Sequence, residues 1–275
     1  MKNQKIIFII LLIVIMACLP FVIEKESTIN LLILILLYVI LATSWNILGG
    51  YTGQTSLGHA AFFGLGSLAT RLLWVKGVHI IPSILVGSLL AVAFALLIGA
   101  PAFRLKGVYF AIGTLALAEI LNVTVGNLFP EIASLPIKQL VGYQLLPRYY
   151  ALLGLAVLII GGSYLLVNSK IGLGMMAVRE EEDAAESLGV SALKHKLIAL
   201  GVSAFFTGLA GGAFAFYHVG YYYQYPFSPS WSLDMLTMVY IGGQGTILGP
   251  IIGAVFFVAL KQFLVMNVGE YHLII

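Results

Sequence analysis

The sequence is dominated by apolar runs that are each about as long as a membrane is thick. A helix needs about 20 apolar residues to cross the hydrocarbon core of a bilayer. In chain order the runs are Ile6–Ile23, Ile29–Leu48, Leu57–Val75, Ile80–Ala100, Val108–Gly126, Tyr149–Val167, Leu197–Val219, a short segment at Leu233–Ile241, and Ile247–Val265. This succession predicts an all-α fold, a polytopic membrane helix bundle with about 8–9 transmembrane segments.

Composition excludes the main alternatives. Of the 275 residues, 61% are hydrophobic and 9% are charged, whereas a soluble domain carries about 25% charged residues. This is too little charge to cover a soluble surface, which excludes an ordinary soluble enzyme, a disordered protein and a nucleic-acid binder. We therefore expect a single transmembrane domain over residues 1–275, surrounded by membrane lipid and without a nucleic-acid partner. The lone Cys18 excludes an intrachain disulfide.

The first apolar run has two interpretations. A basic start at Lys2 and Lys5 before an apolar stretch is typical of a signal peptide, and residues 15–18 faintly resemble a lipoprotein cleavage box. The run is nevertheless long enough to span, and the next run follows at once, which favours an uncleaved first helix. The two lysines then place the N-terminus on the cytoplasmic side, where basic residues concentrate.

The same rule orients the remaining loops. Counting crossings places Arg104, Lys106 and the stretch 168–196 on the cytoplasmic side. The loops assigned to the outer side hold fewer basic residues, namely Lys25, Lys76, Lys138 and Arg148. Tyrosines and tryptophans near those outer loops fit an interfacial aromatic belt.

The stretch 168–196 is the only strongly charged part of the chain and holds nine of its 25 charged residues. Residues 175–190 are rich in Ala, Glu, Leu and Met, which favour helix, and the acids cluster near the start, where the helix dipole stabilises them. Gly189 is a natural C-terminal stop. The pattern predicts a short cytoplasmic helix outside the bilayer.

Polar residues are concentrated between the second and third apolar runs. Residues 49–59 hold four glycines and the polar side chains of Thr52, Gln54, Thr55, Ser56 and His59. One interpretation is a broken helix at a substrate path, since irregular backbone at membrane depth requires a protein or aqueous surrounding. The other is a Gly-rich tight turn at the cytoplasmic surface, which the topology favours. Gln54, Ser56 and His59 are the candidates for the path.

Few ionisable residues lie inside the apolar runs. Glu119 is the only acid deep within one, and because a charge at the bilayer centre costs about 3 kcal/mol, we expect it either to face the bundle interior or to be protonated. It either lines the substrate path or pairs structurally with a neighbouring helix. Arg71, Asp234 and Lys261 lie nearer the ends of the runs, where snorkelling to the interface is the default.

Small residues recur at spacings that bring them to one helix face. The sets are Gly87/Ala91/Ala95/Gly99, Ala60/Gly64, Gly208/Gly212 and Gly245/Gly249/Gly253. Such faces allow close helix approach and usually indicate packing within one chain, although packing against a partner chain is also compatible with the pattern.

The chain carries no catalytic motif. It lacks a Gly-x-x-x-x-Gly-Lys-[Ser/Thr] phosphate loop, a Gly-x-Ser-x-Gly elbow and any spacing typical of a metal site. We therefore expect a transport subunit and not an enzyme, with no metal and no cofactor on this chain.

Four sequence blocks follow one another in a set order: NILGGYTGQTSLGHAAFFG at Asn46–Gly64, LKGVYFAIGTL at Leu105–Leu115 with Glu119 following, AVREEEDAAESLG at Ala177–Gly189, and GGQGTILGP at Gly242–Pro250. In content and order they resemble the branched-chain amino-acid ABC transporter permeases of the LivM type, over roughly residues 41 to 265. Asp183-Ala184-Ala185 with Gly189 is also close to the Glu-Ala-Ala-x-x-x-Gly pattern of ABC permeases in general. Here Asp replaces Glu, and the Ile-x-Leu-Pro tail of that pattern is absent.

The resemblance implies a function that composition does not. It implies a permease subunit in a bacterial or archaeal cytoplasmic membrane that imports Leu, Ile or Val, with urea or amides as alternative substrates. The implied partners are a homologous second permease, two cytoplasmic ATPase subunits that bind ATP and Mg, and an extracytoplasmic substrate-binding protein. The residues implied to couple to the ATPase are Glu182, Asp183, Ala184, Ala185 and Gly189.

Two further expectations follow. An ion-coupled secondary transporter is the main competing class, but it would need several intramembrane acids, and Glu119 is a single candidate. Members of the family usually continue with one more apolar span beyond a segment like residues 270–275. By that comparison the chain looks one helix short at its C-terminal end.

Overall fold

The computed structural model describes residues 15–21 and 25–268, with the backbone alone at residues 137, 138 and 266–268. Residues 15–21 are helical. The following helices are α1 (Glu26–Gly49), α2 (His59–Val75), α3 (Ile80–Ala102), α4 (Val108–Leu128), α5 (Ile137–Val141), α6 (Leu145–Val167), α7 (Lys170–Glu180), α8 (Glu182–Ser187), α9 (Ala192–Tyr217), α10 (Ser230–Gly242) and α11 (Leu248–Val268), with a 3-10 turn at Tyr225–Phe227.

The described residues form an all-helical structure, which confirms the predicted fold class. Their only β pairing is an isolated bridge between Ile132 and Tyr222. Six helices are long and apolar enough to cross a membrane: α1, α3, α4, α6, α9 and α11. The six are fewer than the predicted 8–9, because α2 has 17 residues and α10 has 13. The first predicted run and the expected C-terminal continuation lie largely outside the described residues.

The six long helices differ greatly in burial although all are strongly apolar. In α1 and α9 the most apolar stretch is 78% and 72% buried, whereas in α3, α4 and α6 it is 28% or less. The bundle is therefore organised around α1 and α9, and α3, α4 and α6 lie at its periphery. A helix that is apolar on every side gives no sequence signal for this difference.

Small residues set the closest helix contacts. A Cβ atom added to Gly66 of α2 would lie 2.7 Å from the Cα of Gly208 in α9, and one added to Gly87 of α3 would lie 2.6 Å from the carbonyl oxygen of Gly66. Ala91 and Ala95 on the same face of α3 are fully buried. These faces therefore pack within the chain, joining α2, α3 and α9.

The C-terminal end of α9 is capped by cations. Arg148 Nε donates to the carbonyl of Phe216 at 3.0 Å, and the guanidinium of Arg71 donates to the carbonyl of His218. Positive charge is favourable there because the helix dipole leaves partial negative charge at a C-terminus. Arg71 is completely buried, so the expectation that it snorkels to the interface is wrong.

Candidate functional site

The charged stretch folds into two helices where the sequence predicted one. Ser169 caps α7 by accepting a hydrogen bond from the backbone NH of Gly172 at 3.3 Å. Glu181 then adopts an extended conformation (φ −158°, ψ 110°), which ends α7 and starts α8. The break turns the chain and separates the acidic segment as a helix of six residues.

Two of the predicted coupling residues fasten α8 to the bundle. Ala185 is 3% exposed and lies in a small apolar cluster with Val178 of α7 and Ala192 of α9. The Glu182 carboxylate forms an ion pair with Nζ of Lys196 at 2.6 Å, and the Lys196 side chain is buried. These contacts fix the position of the short helix relative to the bundle. A helix in a solvated loop would not require such contacts.

The other predicted coupling residues lie on the open face of α8. Asp183, Ala184 and Gly189 are exposed, and Gly189 has φ +84°, a left-handed conformation that favours glycine. The neighbouring Leu188 is 84% exposed and was not among the predicted coupling residues. The sequence feature that could have indicated Leu188 is an apolar side chain between the acidic residues and the glycine turn. We call Asp183, Ala184, Leu188 and Gly189 the α8 face.

Arg179, at the end of α7, links this segment to the transmembrane helices. Its Nη1 donates to the carbonyl of Gly50 at 2.6 Å, and its side chain lies against Gly53 and Gly245, where a Cβ atom would collide with it or crowd it. Gly53 and Gly245 both have positive φ, at +69° and +74°. One arginine therefore contacts the α1–α2 turn and the α10–α11 turn together.

Side-chain amides join the two turns to each other. The Asn46 amide donates to the carbonyl of Thr246 at 2.8 Å and accepts from the NH of Gly245 at 2.9 Å, while Gln244 donates to the carbonyl of Gly49 at 2.8 Å. Beside them, burial raises the pKa of Tyr51 to about 12, so its phenol stays neutral. The two Gly-rich sequence blocks thus form one structural unit beside Arg179.

The α1–α2 connection consists of a turn followed by an irregular segment. Gly50 and Gly53 lie beside Arg179, and the chain then continues into the bundle as irregular backbone before α2 begins at His59. The NH of Leu57 donates to Thr114 Oγ1 of α4 at 3.1 Å, and Trp45 Nε1 donates to the carbonyl of Ser56 at 2.8 Å. These bonds satisfy backbone groups that have no helical partner.

Two of the predicted path residues, Ser56 and His59, are enclosed. His59 is fully buried, with Nδ1 at 3.2 Å from Ser56 Oγ and Nε2 at 2.7 Å from Ser203 Oγ. Because Ser203 donates to the carbonyl of Ser44 at 2.7 Å, it accepts from His59, which places the imidazole proton on Nε2. The cavity beside Ser56 measures only about 10 Å³. His59 therefore ties α1, α2 and α9 together.

Gln54 and Glu119 occupy open positions. Gln54 lines a pocket of about 310 Å³ between the α1–α2 connection and the start of α4, together with Gly107 and Phe110. Glu119 is exposed at the middle of α4 and accepts a hydrogen bond only from Asn122, at 3.3 Å, among the described residues. Among the described residues Glu119 does not face the bundle interior, so that one of the two alternatives is wrong. Its role in the substrate path stays a prediction.

A second polar cluster was missed because its members are distant in sequence. Asp234 of α10 accepts a hydrogen bond from Tyr38 of α1 at 3.0 Å, and Nζ of Lys261 in α11 lies 3.8 Å from the same carboxylate oxygen. Tyr38 lies near the middle of α1, so Asp234 and Lys261 lie deep in the membrane and not at its surface. The snorkelling expected for them is therefore wrong.

Comparison with known proteins identifies the chain. The family model described as "Branched-chain amino acid transport system / permease component" matches residues 27–275. The high-affinity branched-chain amino acid transport system permease protein LivM of Escherichia coli (strain K12) is 28% identical over 305 aligned residues, covering 99% of this chain and 71% of the relative. LivM of Salmonella typhimurium (strain LT2) gives the same identity and coverage. No solved structure matches the chain.

These matches agree with the six long apolar helices and with the resemblance seen in the four sequence blocks. They confirm a transport subunit rather than an enzyme, in a multi-pass protein of the cytoplasmic membrane. The chain belongs to the family of permease components of branched-chain amino acid transport systems.

Proposed function

We propose that the chain, as a single domain over residues 1–275, is the transmembrane permease subunit of an ATP-binding-cassette importer that translocates Leu, Ile and Val across the cytoplasmic membrane. The substrate class follows from the family match and from the printed names of the two LivM relatives. The partners are a homologous second permease, two cytoplasmic ATPase subunits and an extracytoplasmic substrate-binding protein. ATP and Mg bind to the ATPase subunits, since this sequence has no phosphate loop.

The arrangement of the cytoplasmic end carries the coupling part of the proposal. The α8 face is exposed, yet α8 is fixed to the bundle through Ala185 and the Glu182–Lys196 ion pair. Arg179 lies directly before α8 and contacts both Gly-rich turns. A displacement of α8 by an ATPase would therefore pass through Arg179 to α1, α2, α10 and α11, which is how a docked helix can change the opening of a bundle.

The short helices also belong to crossings of the membrane. α2 continues the irregular segment that rises from the cytoplasmic turn, and at its far end the Trp74 carbonyl accepts from Gln139 in the outer loop at 3.0 Å. α10 leads from the aromatic outer loop to the turn at Gly245, with Phe227 of that loop buried against Gly64 of α2. With the six long helices these make eight crossings, and the apolar run Ile6–Ile23 of the sequence supplies a ninth.

Gln54 fits the cytoplasmic exit of the path. Its pocket of about 310 Å³ is open to the surface and is at the lower end of the size range of small-molecule sites, which begins at about 300 Å³. Ser56 and His59 act behind this pocket as the structural support of its wall.

The experiment tests the α8 face in the complete transporter. Ala184→Trp adds a large side chain to an exposed position, so membrane insertion should equal that of the wild type while ATP-driven leucine uptake into proteoliposomes falls at least about tenfold, as expected when docking is blocked by a clash. Arg104→Trp, at another exposed position on the proposed cytoplasmic side, is the matched control and should keep its uptake.

Normal insertion together with normal uptake in Ala184→Trp would remove the coupling role from α8. A wild-type complex that takes up urea or an amide but no leucine, isoleucine or valine would overturn the substrate assignment. Uptake that continues without any ATPase subunit would favour an ion-coupled transporter.

A further inference from the structure

The cluster of Asp234, Lys261 and Tyr38 combines opposite charges with aromatic rings. Lys261 Nζ is 5.9 Å from the ring centre of Tyr38 and 5.7 Å from that of Phe257. The Tyr38 ring is stacked on Trp231, with centroids 5.7 Å apart and planes at 30°. Three helices, α1, α10 and α11, thus bring together one carboxylate, one ammonium group and three rings.

The depth of the cluster makes its exposure informative. Tyr38 is the thirteenth of the 24 residues of α1, so the charges lie near the bilayer centre, where each costs about 3 kcal/mol in contact with lipid. The side chains of Lys261 and Asp234 nevertheless remain 43% and 16% exposed. At this depth, exposed charge belongs in a water-filled path or against another protein surface.

The charged groups of Asp234 and Lys261 are also only loosely paired within the chain. At 3.8 Å the Lys261–Asp234 separation exceeds an ordinary hydrogen bond. Among the described residues Lys261 Nζ has no polar partner closer than Asp234, its other contacts being the rings of Tyr38 and Phe257, and Asp234 accepts one shorter hydrogen bond, from Tyr38. The site has donors for a carboxylate, acceptors for an ammonium group and no net charge.

We propose that Asp234 and Lys261 form a binding site for a zwitterionic α-amino acid in the translocation path. The ligand carboxylate binds Lys261 and its ammonium group binds Asp234, because these two charged side chains remain accessible while the rings of Tyr38, Trp231 and Phe257 are buried behind them. This inference rests on the proposed function and adds to it the residues that recognise the two charges common to Leu, Ile and Val.

The test uses the complete purified complex and three ligands of similar shape. Leucine carries both charges, leucinamide lacks the carboxylate, and 4-methylpentanoate lacks the ammonium group. Equilibrium binding to the complex, without the binding protein, should favour leucine over each analogue by at least about tenfold, the size of one charged hydrogen bond. Equal binding of the three ligands would overturn the site, and this comparison needs no variant.

Two variants then assign the contacts. Lys261→Gln should weaken leucine and 4-methylpentanoate about tenfold or more and leave leucinamide nearly unchanged. Asp234→Asn should weaken leucine and leucinamide and leave 4-methylpentanoate nearly unchanged. Lys106→Gln removes a distant cytoplasmic charge and should alter none of the three affinities.

The outcomes separate this site from the proposed function. An equal loss for all three ligands indicates an ion pair that only fastens α10 to α11, and unchanged affinities remove Asp234 and Lys261 from recognition. Either result overturns the site if the wild-type complex imports leucine with its binding protein. A wild-type complex that imports no branched-chain amino acid contradicts the proposed function itself.

Discussion

The contact between α2 and α9 gives the sharpest test of the packing. At Gly66 an added Cβ atom would lie 2.7 Å from the Cα of Gly208 and closer still to its carbonyl oxygen. Real Cβ atoms essentially never approach other atoms within 3.0 Å. Because the obstructing atoms are backbone, no side-chain rotation relieves the clash, and the two helices must move apart.

The size of the effect follows from this geometry. Gly66→Val inserts three carbon atoms at a backbone contact, and overpacking of this kind costs about 3 kcal/mol. Gly161→Val is the matched control, since Gly161 is an exposed residue of α6 with nothing within 4 Å of an added Cβ atom. Both variants replace a helical glycine by the same residue, so the change in helix propensity cancels between them.

The two variants are compared by thermal unfolding of the detergent-solubilised protein. For a chain of this size about 1 kcal/mol corresponds to at least about 2 °C, so Gly66→Val should unfold about 6 °C or more below Gly161→Val. Equal unfolding temperatures would refute the close approach of α2 to α9, and with it the assignment of these small residues to packing within the chain.

Three other predictions concern residues with defined partners. Arg179→Ala should keep normal membrane insertion but lower ATP-driven uptake about tenfold, since a charged hydrogen bond worth about 2 kcal/mol is lost. Arg104→Ala, the exposed control, should not lower uptake. Equal uptake by the two variants would contradict the role of Arg179 in linking α8 to the transmembrane helices. Glu182→Gln leaves the buried Lys196 ammonium unpaired and should lower the free energy of unfolding by about 1–2 kcal/mol, less than for a fully buried pair because Glu182 is partly exposed. Adding Lys196→Met should restore most of that loss in the same denaturation assay, and no restoration would argue against the pair. His59→Ala creates a buried cavity and unpairs two hydroxyl groups, so we expect the free energy of unfolding to fall by about 3 kcal/mol, measured by thermal unfolding. An unchanged unfolding temperature would show that His59 does not hold the three helices together.

The cytoplasmic end and the membrane cluster lie on the same helices. Arg179 contacts the turn at Gly245 that joins α10 to α11, and those two helices carry Asp234 and Lys261. A shift of this turn would change the separation of the two charges. Under the two proposals, the ATPase contact and the amino-acid site are therefore connected by a single pair of helices.

Local sequence features determined the class of the protein and its coarse layout. Apolar runs of about 20 residues require membrane-spanning helices whatever their neighbours are, and the predicted runs agree with α1, α3, α4, α6, α9 and α11 to within a few residues. The charged stretch and Gly189 likewise located the short helix α8 and the turn that follows it. The break at Glu181 was not predicted, because one extended residue in a helix-favouring stretch depends on how α8 packs.

Only the tertiary structure decided which faces meet. In lipid both the outward and the inward faces of a helix are apolar, so periodicity does not distinguish α1, which is central, from α4, which is peripheral. The same ambiguity hid the exposure of Glu119 and the enclosure of His59. The proximity of Asp234 to Lys261 depends on how α10 and α11 pack against α1, a relation between distant segments that no local pattern encodes.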